Sequence, residues 1–167
     1  ADQLAKKGPE LWYAGSKFQK DWLAAWLQNP KPIRPLKYNS LTDSNKGDHP
    51  KQSAGDAAAT ADFLMGLTSP EVKAGVITAK SSPQAKAIFG KKMPCGGCHE
   101  YSEKGETRGG KSGPSLVGAS KRLNPDWVYA YLANIKVFKP VRDMPDFASV
   151  LNPKDLEGVA AYVATFE

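Results

Sequence analysis

The strongest constraint on this chain is one short motif, Cys95-Gly96-Gly97-Cys98-His99. Residues three positions apart lie close together on a helical turn, so both thiols face roughly the same side, and a histidine follows the second cysteine directly. This spacing is typical of c-type haem attachment. In that interpretation, Cys95 and Cys98 form thioethers to the haem, and the His99 imidazole supplies one axial ligand to the iron.

Other uses of the motif fit the sequence less well. A structural zinc site needs four nitrogen or sulfur ligands, and this chain has two cysteines and two histidines, the other being His49, far from the motif. A thiol–disulfide exchange pair occurs near a βαβ pattern, and the sequence predicts no strands. A chance occurrence is the remaining alternative.

The residues downstream follow a known order. Gly113-Pro114-Ser115-Leu116 comes after the motif, then Met144-Pro145, then a closing helix. With this order, residues 83–167 resemble the class I cytochrome c family. The resemblance implies a class I cytochrome c fold, one covalent haem c, and Met144 as the second axial ligand, although a core methionine is the alternative. A thioether ligand raises the reduction potential of the iron.

The same resemblance implies roles for three more residues. The Pro114 carbonyl is expected to accept the ring N–H of His99, a bond that fixes the tautomer of a ligating histidine. Trp127 and Tyr131 are expected to pack on the haem edge or bond a propionate. The alternatives are a plain Gly-Pro loop and simple core packing of the two aromatic rings.

Hydrophobic spacing and capping signals predict an all-α chain. No strand is expected anywhere, and residues 38–55, 101–113 and 136–147 are expected to be loops. The closing helix should bury Leu156, Val159, Ala160 and Val163. The predicted helices run from Leu11 to Asn29, from a cap at Asp56 to Gly66, from a cap at Ser69 to Ala79, from a cap at Ser82 with Pro83 as the first helical residue into the motif, from a cap at Asn124 to Asn134, and from a cap at Asn152 onward.

An internal repeat predicts two domains. Residues 8–29 align without a gap to residues 113–134 with nine identities in twenty-two positions, and 56–64 match 155–163 in pattern. Residues 1–80 are therefore predicted to be an incomplete, degenerate cytochrome c-like domain without C-x-x-C-H, and 81–167 a monohaem domain. The missing part has been lost, removed, or is supplied by a partner chain.

The incomplete half is expected to leave an uncovered face. Trp12, Trp22 and Trp26 should pack on the helix predicted at 70–79 or on a partner, which predicts a homodimer or a larger complex formed through this half. His49-Pro50 occupies the place of Met144-Pro145 in the repeat. His49 is either a surface histidine or a ligand to a partner's haem.

The composition narrows the partners. The net charge of +6 is spread along the chain without a basic patch interleaved with aromatics, which argues against nucleic acid. A basic surface suits a redox partner with an acidic docking surface, or simply keeps the chain soluble. No apolar run approaches the ~18 residues of a membrane span.

The first residues and the resemblance also predict where the protein is located and what it does. Ala1-Asp2-Gln3 looks like a mature terminus after signal-peptide removal, and the resemblance implies a periplasmic protein. The predicted function is electron transfer as a carrier or subunit, without enzymatic activity of its own. The alternatives are a haem subunit of an oxidoreductase complex whose labile distal ligand lets substrate or a small gas bind, and a structural subunit whose haem only stabilises the fold.

Overall fold

The computed structural model describes residues 9–37, 40–140 and 144–167. This part of the chain is mostly helical, with one small two-stranded sheet. The proposed mature terminus at Ala1–Gln3, the first repeat residue Gly8 and part of the predicted 136–147 loop lie outside the described residues. The helices are α1 (Ala14–Lys17), α2 (Lys20–Gln28), α3 (Ala54–Met65), α4 (Pro83–Ala87), α5 (Ala119–Arg122), α6 (Pro125–Ala133), α7 (Ile135–Phe138) and α8 (Pro153–Val163).

The larger hydrophobic core joins α4, α6 and α8. The predicted caps are confirmed at Ser82, Asn124 and Asn152, whose side chains accept backbone N–H groups of α4, α6 and α8. The predicted apolar stripe of α8 is buried, with exposed fractions of 0–4 %. Proline at the first position of each helix supplies a preset φ where no N–H partner is needed.

A second, smaller core joins α2 and α3. Ala57, Ala61 and Leu64 of α3 are buried against Leu23 and Leu27 of α2. Trp22 and Trp26 pack on this core, with their rings stacked at 6.0 Å. Of the three tryptophans predicted to need cover, Trp22 and Trp26 thus pack on the smaller core, whereas Trp12 is 43 % exposed and its ring lies 6.1 Å from that of Phe138 in the larger core.

The all-α prediction is wrong in one place. Residues 101–113, predicted as loop, contain an antiparallel hairpin of β1 (Tyr101–Glu103) and β2 (Glu106–Arg108). The turn between the strands is Lys104-Gly105, and both residues have positive φ, 53° and 80°. Two left-handed residues form the tight turn whose twist matches paired strands.

Two helix predictions and one loop prediction are corrected. The helix expected from Leu11 to Asn29 is split into α1 and α2, because Phe18 and Gln19 are extended. The cap of α3 is Ser53 rather than Asp56, and Asp56 reciprocates as the acceptor of the Ser53 hydroxyl at 2.7 Å. The predicted loop at 136–147 overlaps the short helix α7, which covers Ile135–Phe138.

The helix predicted at 70–79 is absent. The buried carboxylate of Asp126 accepts the backbone N–H groups of Gly75 and Ile77, each at 2.7 Å, and Gly75 has φ 76°. Amides bonded to a distant carboxylate cannot form the i→i−4 bonds of a helix. This segment is a non-helical connection with two turns, held on α6.

The two halves of the chain meet at equivalent positions of the repeat. Phe18 and Leu123, which align with each other, form an isolated antiparallel bridge. The helices on either side also correspond, α1 with α5 and α2 with α6. The contact therefore has approximate two-fold symmetry.

The hydrogen bonds around this bridge are reciprocal. Gln19 N donates to Arg122 O at 2.9 Å, and Asn124 N, which aligns with Gln19, donates to Lys17 O at 2.8 Å. Two side-chain contacts are reciprocal in the same way. The Lys17 ammonium lies 4.7 Å from the ring centroid of Trp127. Arg122 lies 5.9 Å from the ring of the equivalent Trp22.

Within the described residues, no helix combines the length and apolar character needed to cross a bilayer.

Candidate functional site

The motif forms a single tight turn fixed to the larger core. Cys95–Gly97 is a 3₁₀ turn, and the N–H groups of Cys98 and His99 both bond the Cys95 carbonyl, at 3.2 and 3.0 Å. A π-helical turn, Ile88–Lys92, leads into it from α4. Phe89 in this turn is 2 % exposed, which anchors the motif to the packed interior.

The two thiols lie at the edge of the fold. Cys98 is exposed and Cys95 is half-buried, and both are free. Burial raises the pKa of the Cys95 thiol to about 11. Both sulfurs are therefore presented on one turn and are not used by a disulfide.

His99 is oriented by one short bond. Its Nδ1 lies 2.6 Å from the Pro114 carbonyl oxygen. Because a carbonyl can only accept, Nδ1 carries the proton and Nε2 is the nitrogen with a lone pair for a metal. Burial lowers the pKa of His99, while the bond to Pro114 raises it. The ring is neutral at pH 7, which is the form that binds iron.

Glycines bring a second loop against the motif. The N–H of Gly110 bonds the Gly96 carbonyl at 2.8 Å, and the N–H of Gly113 bonds the Cys98 carbonyl at 2.7 Å. A Cβ on Gly110 would lie 2.0 Å from the Gly97 oxygen, and one on Gly113 would lie 2.7 Å from His99 Cε1. Only glycine permits so close an approach.

A buried arginine supports the same loop from α5. Arg122 is 6 % exposed, and its guanidinium donates to the carbonyls of Ser115 and Val117. Burial lowers the pKa of Arg122 to about 10, so it remains charged at neutral pH. Arg122 was not singled out from the sequence, although it aligns with Lys17 in the repeat.

Trp127 and Tyr131 are close together on α6. Trp127 is 6 % exposed and its ring lies 4.9 Å from that of Tyr131. The Trp127 indole Nε1 is buried and has no hydrogen-bond partner among the described residues. A buried donor without a partner costs about 1–3 kcal/mol, and a ligand carboxylate, such as a haem propionate, is a suitable acceptor.

The three methionines lie in different surroundings. Met144 is half-buried against the larger core, as is Met93, which precedes Cys95 by two residues. Met65 packs on the smaller core. Met144 therefore packs in the C-terminal half of the chain, far in sequence from the Cys95–His99 turn.

His49 lies apart from these residues. It is exposed, its Nδ1 is 2.9 Å from the carbonyl of Pro50, and its ring is 4.8 Å from that of Trp26. This is the surface position that the sequence analysis offered as the simpler alternative.

Together these residues fit a haem c group. Two thiols on one turn could serve as attachment points, a neutral imidazole with Nδ1 fixed could ligate iron, and the buried indole N–H without a partner among the described residues would suit a propionate. A sequence model of the family described as "Cytochrome C oxidase, cbb3-type, subunit III" matches residues 83–163. The C-terminal part of the chain is a class I c-type cytochrome-like domain. Such a domain indicates haem binding and electron transfer. No curated protein and no solved structure matches the chain.

Proposed function

We propose that this protein transfers electrons outside the cytoplasm through one covalently bound haem c, as a carrier or as the electron-transfer subunit of a complex. The observation that carries the proposal is the 2.6 Å contact between His99 Nδ1 and the Pro114 carbonyl beside the two free thiols. It directs Nε2 of a neutral imidazole toward a metal and leaves the cysteines for attachment. No group of acid, base and nucleophile is needed for this role.

Each residue has a defined task. Cys95 and Cys98 hold the cofactor, His99 and Met144 ligate its iron, and the Trp127 indole bonds a propionate. Haem iron with both axial positions filled exchanges single electrons and offers no open site for substrate.

The test is the absorption spectrum of the reduced protein with and without carbon monoxide. Low-spin bands that do not change with carbon monoxide support ligation by His99 and Met144. The variant Met144→Ala is expected to open the site and bind carbon monoxide, while Met93→Ala and Met65→Ala, matched truncations elsewhere, are not.

Other outcomes would overturn parts of the proposal. A carbon monoxide shift in the unaltered protein would favour the rival role, a haem subunit whose labile distal ligand admits substrate or a small gas. Absence of any haem spectrum would reject the proposal. A stable low-spin spectrum in Met144→Ala would assign the second ligand to another residue.

A subunit role is supported by the family match. The matching family is described as a subunit of an oxidase, and the chain's net charge of +6 suits a partner with an acidic docking surface. The association rate with such a partner should fall steeply as salt is raised. An association rate insensitive to salt would leave the lysines with a solubilising role only.

We also propose that the N-terminal half is a docking module. On α8, Tyr162 is 5 % exposed, and its ring lies 4.7 Å from that of Phe166 and 5.6 Å from that of Phe89. The equivalent residue on α3, Phe63, is 71 % exposed. This uncovered face of α3 supports assembly through the N-terminal half, as a homodimer or in a complex.

Sedimentation of the parent and of Phe63→Ser tests this assembly. A concentration-dependent dimer that Phe63→Ser abolishes supports the homodimer, with the exposed Leu41→Ser as the control. A strict monomer at high concentration rejects it.

A further inference from the structure

The N-terminal half reaches the loop that orients His99. After α2, residues 30–37 run without helix, and Ile33 O accepts the N–H of Ser115 at 2.7 Å. The next residue, Arg34, donates from Nη1 to the carbonyl of Ser112. Two consecutive residues of the N-terminal half thus bond the C-terminal half close to its proposed histidine ligand.

These two bonds lie on either side, in sequence, of the two residues that contact His99. Gly113 and Pro114 lie between Ser112 and Ser115. The Gly113 N–H bonds the Cys98 carbonyl at 2.7 Å, and the Pro114 carbonyl accepts His99 Nδ1–H at 2.6 Å. A shift of Ser112 is therefore passed to the Pro114 carbonyl through two peptide units.

The donor residue is itself fixed. Asn45 Nδ2 donates to the Arg34 carbonyl at 3.1 Å, and Asn45 N donates to the Pro35 carbonyl at 2.8 Å. Leu36 and Ser44 form an isolated antiparallel bridge just beyond. Residues 33–36 are held against residues 44–45, so the backbone that carries the Arg34 side chain is fixed in place.

The loop is held from two sides. Arg122 of α5 bonds the Ser115 and Val117 carbonyls, and Arg34 bonds the Ser112 carbonyl on the other side of Gly113-Pro114. No residue of the cytochrome half repeats the Arg34 contact among the described residues.

We propose that Arg34 is a positioning residue for the haem ligand: it fixes the Ser112–Ser115 loop so that the Pro114 carbonyl holds the His99 ring. The N-terminal half then has a task inside the electron-transfer site, in addition to any docking role. This inference rests on the proposed haem function, because it gives His99 its role.

The test measures exchange of the His99 ring N–H with solvent by NMR of the haem-loaded, ¹⁵N-histidine-labelled protein. The chain has two histidines, so the exposed His49 is an internal reference. The variant Arg34→Met is expected to speed exchange at His99 about tenfold, the effect of weakening one hydrogen bond by about 1.4 kcal/mol. Exchange at His49 should stay constant.

Two further variants separate positioning from charge and from general destabilisation. Arg108→Met removes an exposed arginine that pairs with Glu103 and Glu106, and His99 exchange should match the parent. Arg34→Lys keeps a donor and a charge, and should restore most of the protection, because only one Arg34 bond to Ser112 is replaced.

The outcomes are decisive. Parental exchange in Arg34→Met, or exchange in Arg34→Lys as fast as in Arg34→Met, overturns the proposal, provided that the haem spectrum and melting temperature are unchanged. If the unaltered protein shows no haem spectrum, the proposed function fails first. Faster exchange in Arg34→Met with an intact low-spin spectrum supports the positioning role.

Discussion

Gly113→Ala should displace the histidine ligand. The added Cβ would lie 2.7 Å from His99 Cε1, 2.8 Å from Nδ1 and 3.0 Å from the Cys98 oxygen. Carbon atoms make favourable contact at about 3.5 Å, so ring and loop must separate by about 0.8 Å. Adding that to the 2.6 Å bond between His99 and Pro114 gives about 3.4 Å, beyond the useful range of a hydrogen bond.

The cost has two parts. Overpacking in a well-packed site costs about 1–3 kcal/mol, and the lost hydrogen bond about 1 kcal/mol. The unfolding free energy should therefore fall by about 2–4 kcal/mol, which lowers the melting temperature by about 4–16 °C for a chain of this size. The reduction potential should rise, because a weaker Nδ1–H bond reduces electron donation from His99 to the iron.

Thermal unfolding followed by circular dichroism, with a redox titration, tests both effects. Gly90→Ala is the matched control, because a Cβ there meets nothing within 4 Å and the change should stay within about 0.5 kcal/mol. If Gly113→Ala has the melting temperature of Gly90→Ala and the reduction potential of the parent, the inference that Gly113 sets the His99–Pro114 geometry is wrong.

Two other variants test the surroundings of the site. Trp127→Phe keeps an aromatic ring beside Tyr131 but removes the indole N–H that has no partner among the described residues. Loss of this donor to a propionate should lower the reduction potential by about 40 mV, the equivalent of about 1 kcal/mol for one electron. The control Trp22→Phe should leave the reduction potential unchanged. Burial, with the charges of Arg122 and Lys139, lowers the pKa of Lys17 from 10.5 to about 8. Between pH 8 and pH 10.5 the unfolded chain therefore binds more protons than the folded chain. The free energy of unfolding should then rise with pH across this range. Lys17→Met should flatten that rise in urea titrations at a series of pH values, and Lys20→Met, at an exposed site, should leave it intact.

Local sequence signals predicted the helices that carry the cytochrome half. At Ser82, Asn124 and Asn152, a capping side chain precedes proline, and each helix begins there. These signals act within one turn, so they can be read from neighbouring residues. The motif itself identified the candidate attachment residues for the same reason.

The errors arose where a distant partner decided the backbone. The 70–79 segment carries a helix start signal, but the Asp126 carboxylate takes two of its amides. The expected helix at 11–29 is interrupted because Phe18 pairs with Leu123. Such long-range bonds leave no periodic trace in the sequence.

Part of the site was invisible for the same reason. Arg34 lies about eighty positions from the loop it bonds, and nothing near it in sequence signals that contact. Arg122 looks like an ordinary basic residue at the end of a short helix until its burial is known. Gly109 and Gly110 read as loop residues, whereas Gly110 bonds the motif turn through Gly96.

The bridge between Phe18 and Leu123 has a consequence for how the two halves hold together. Contacts in which each side offers the same patch are the rule in two-fold symmetric dimers of separate chains. Here both patches belong to one polypeptide, so tethering replaces concentration as the factor that keeps them paired. Side chains of one half, such as Arg34, therefore stay within reach of the loop beside His99 at any protein concentration.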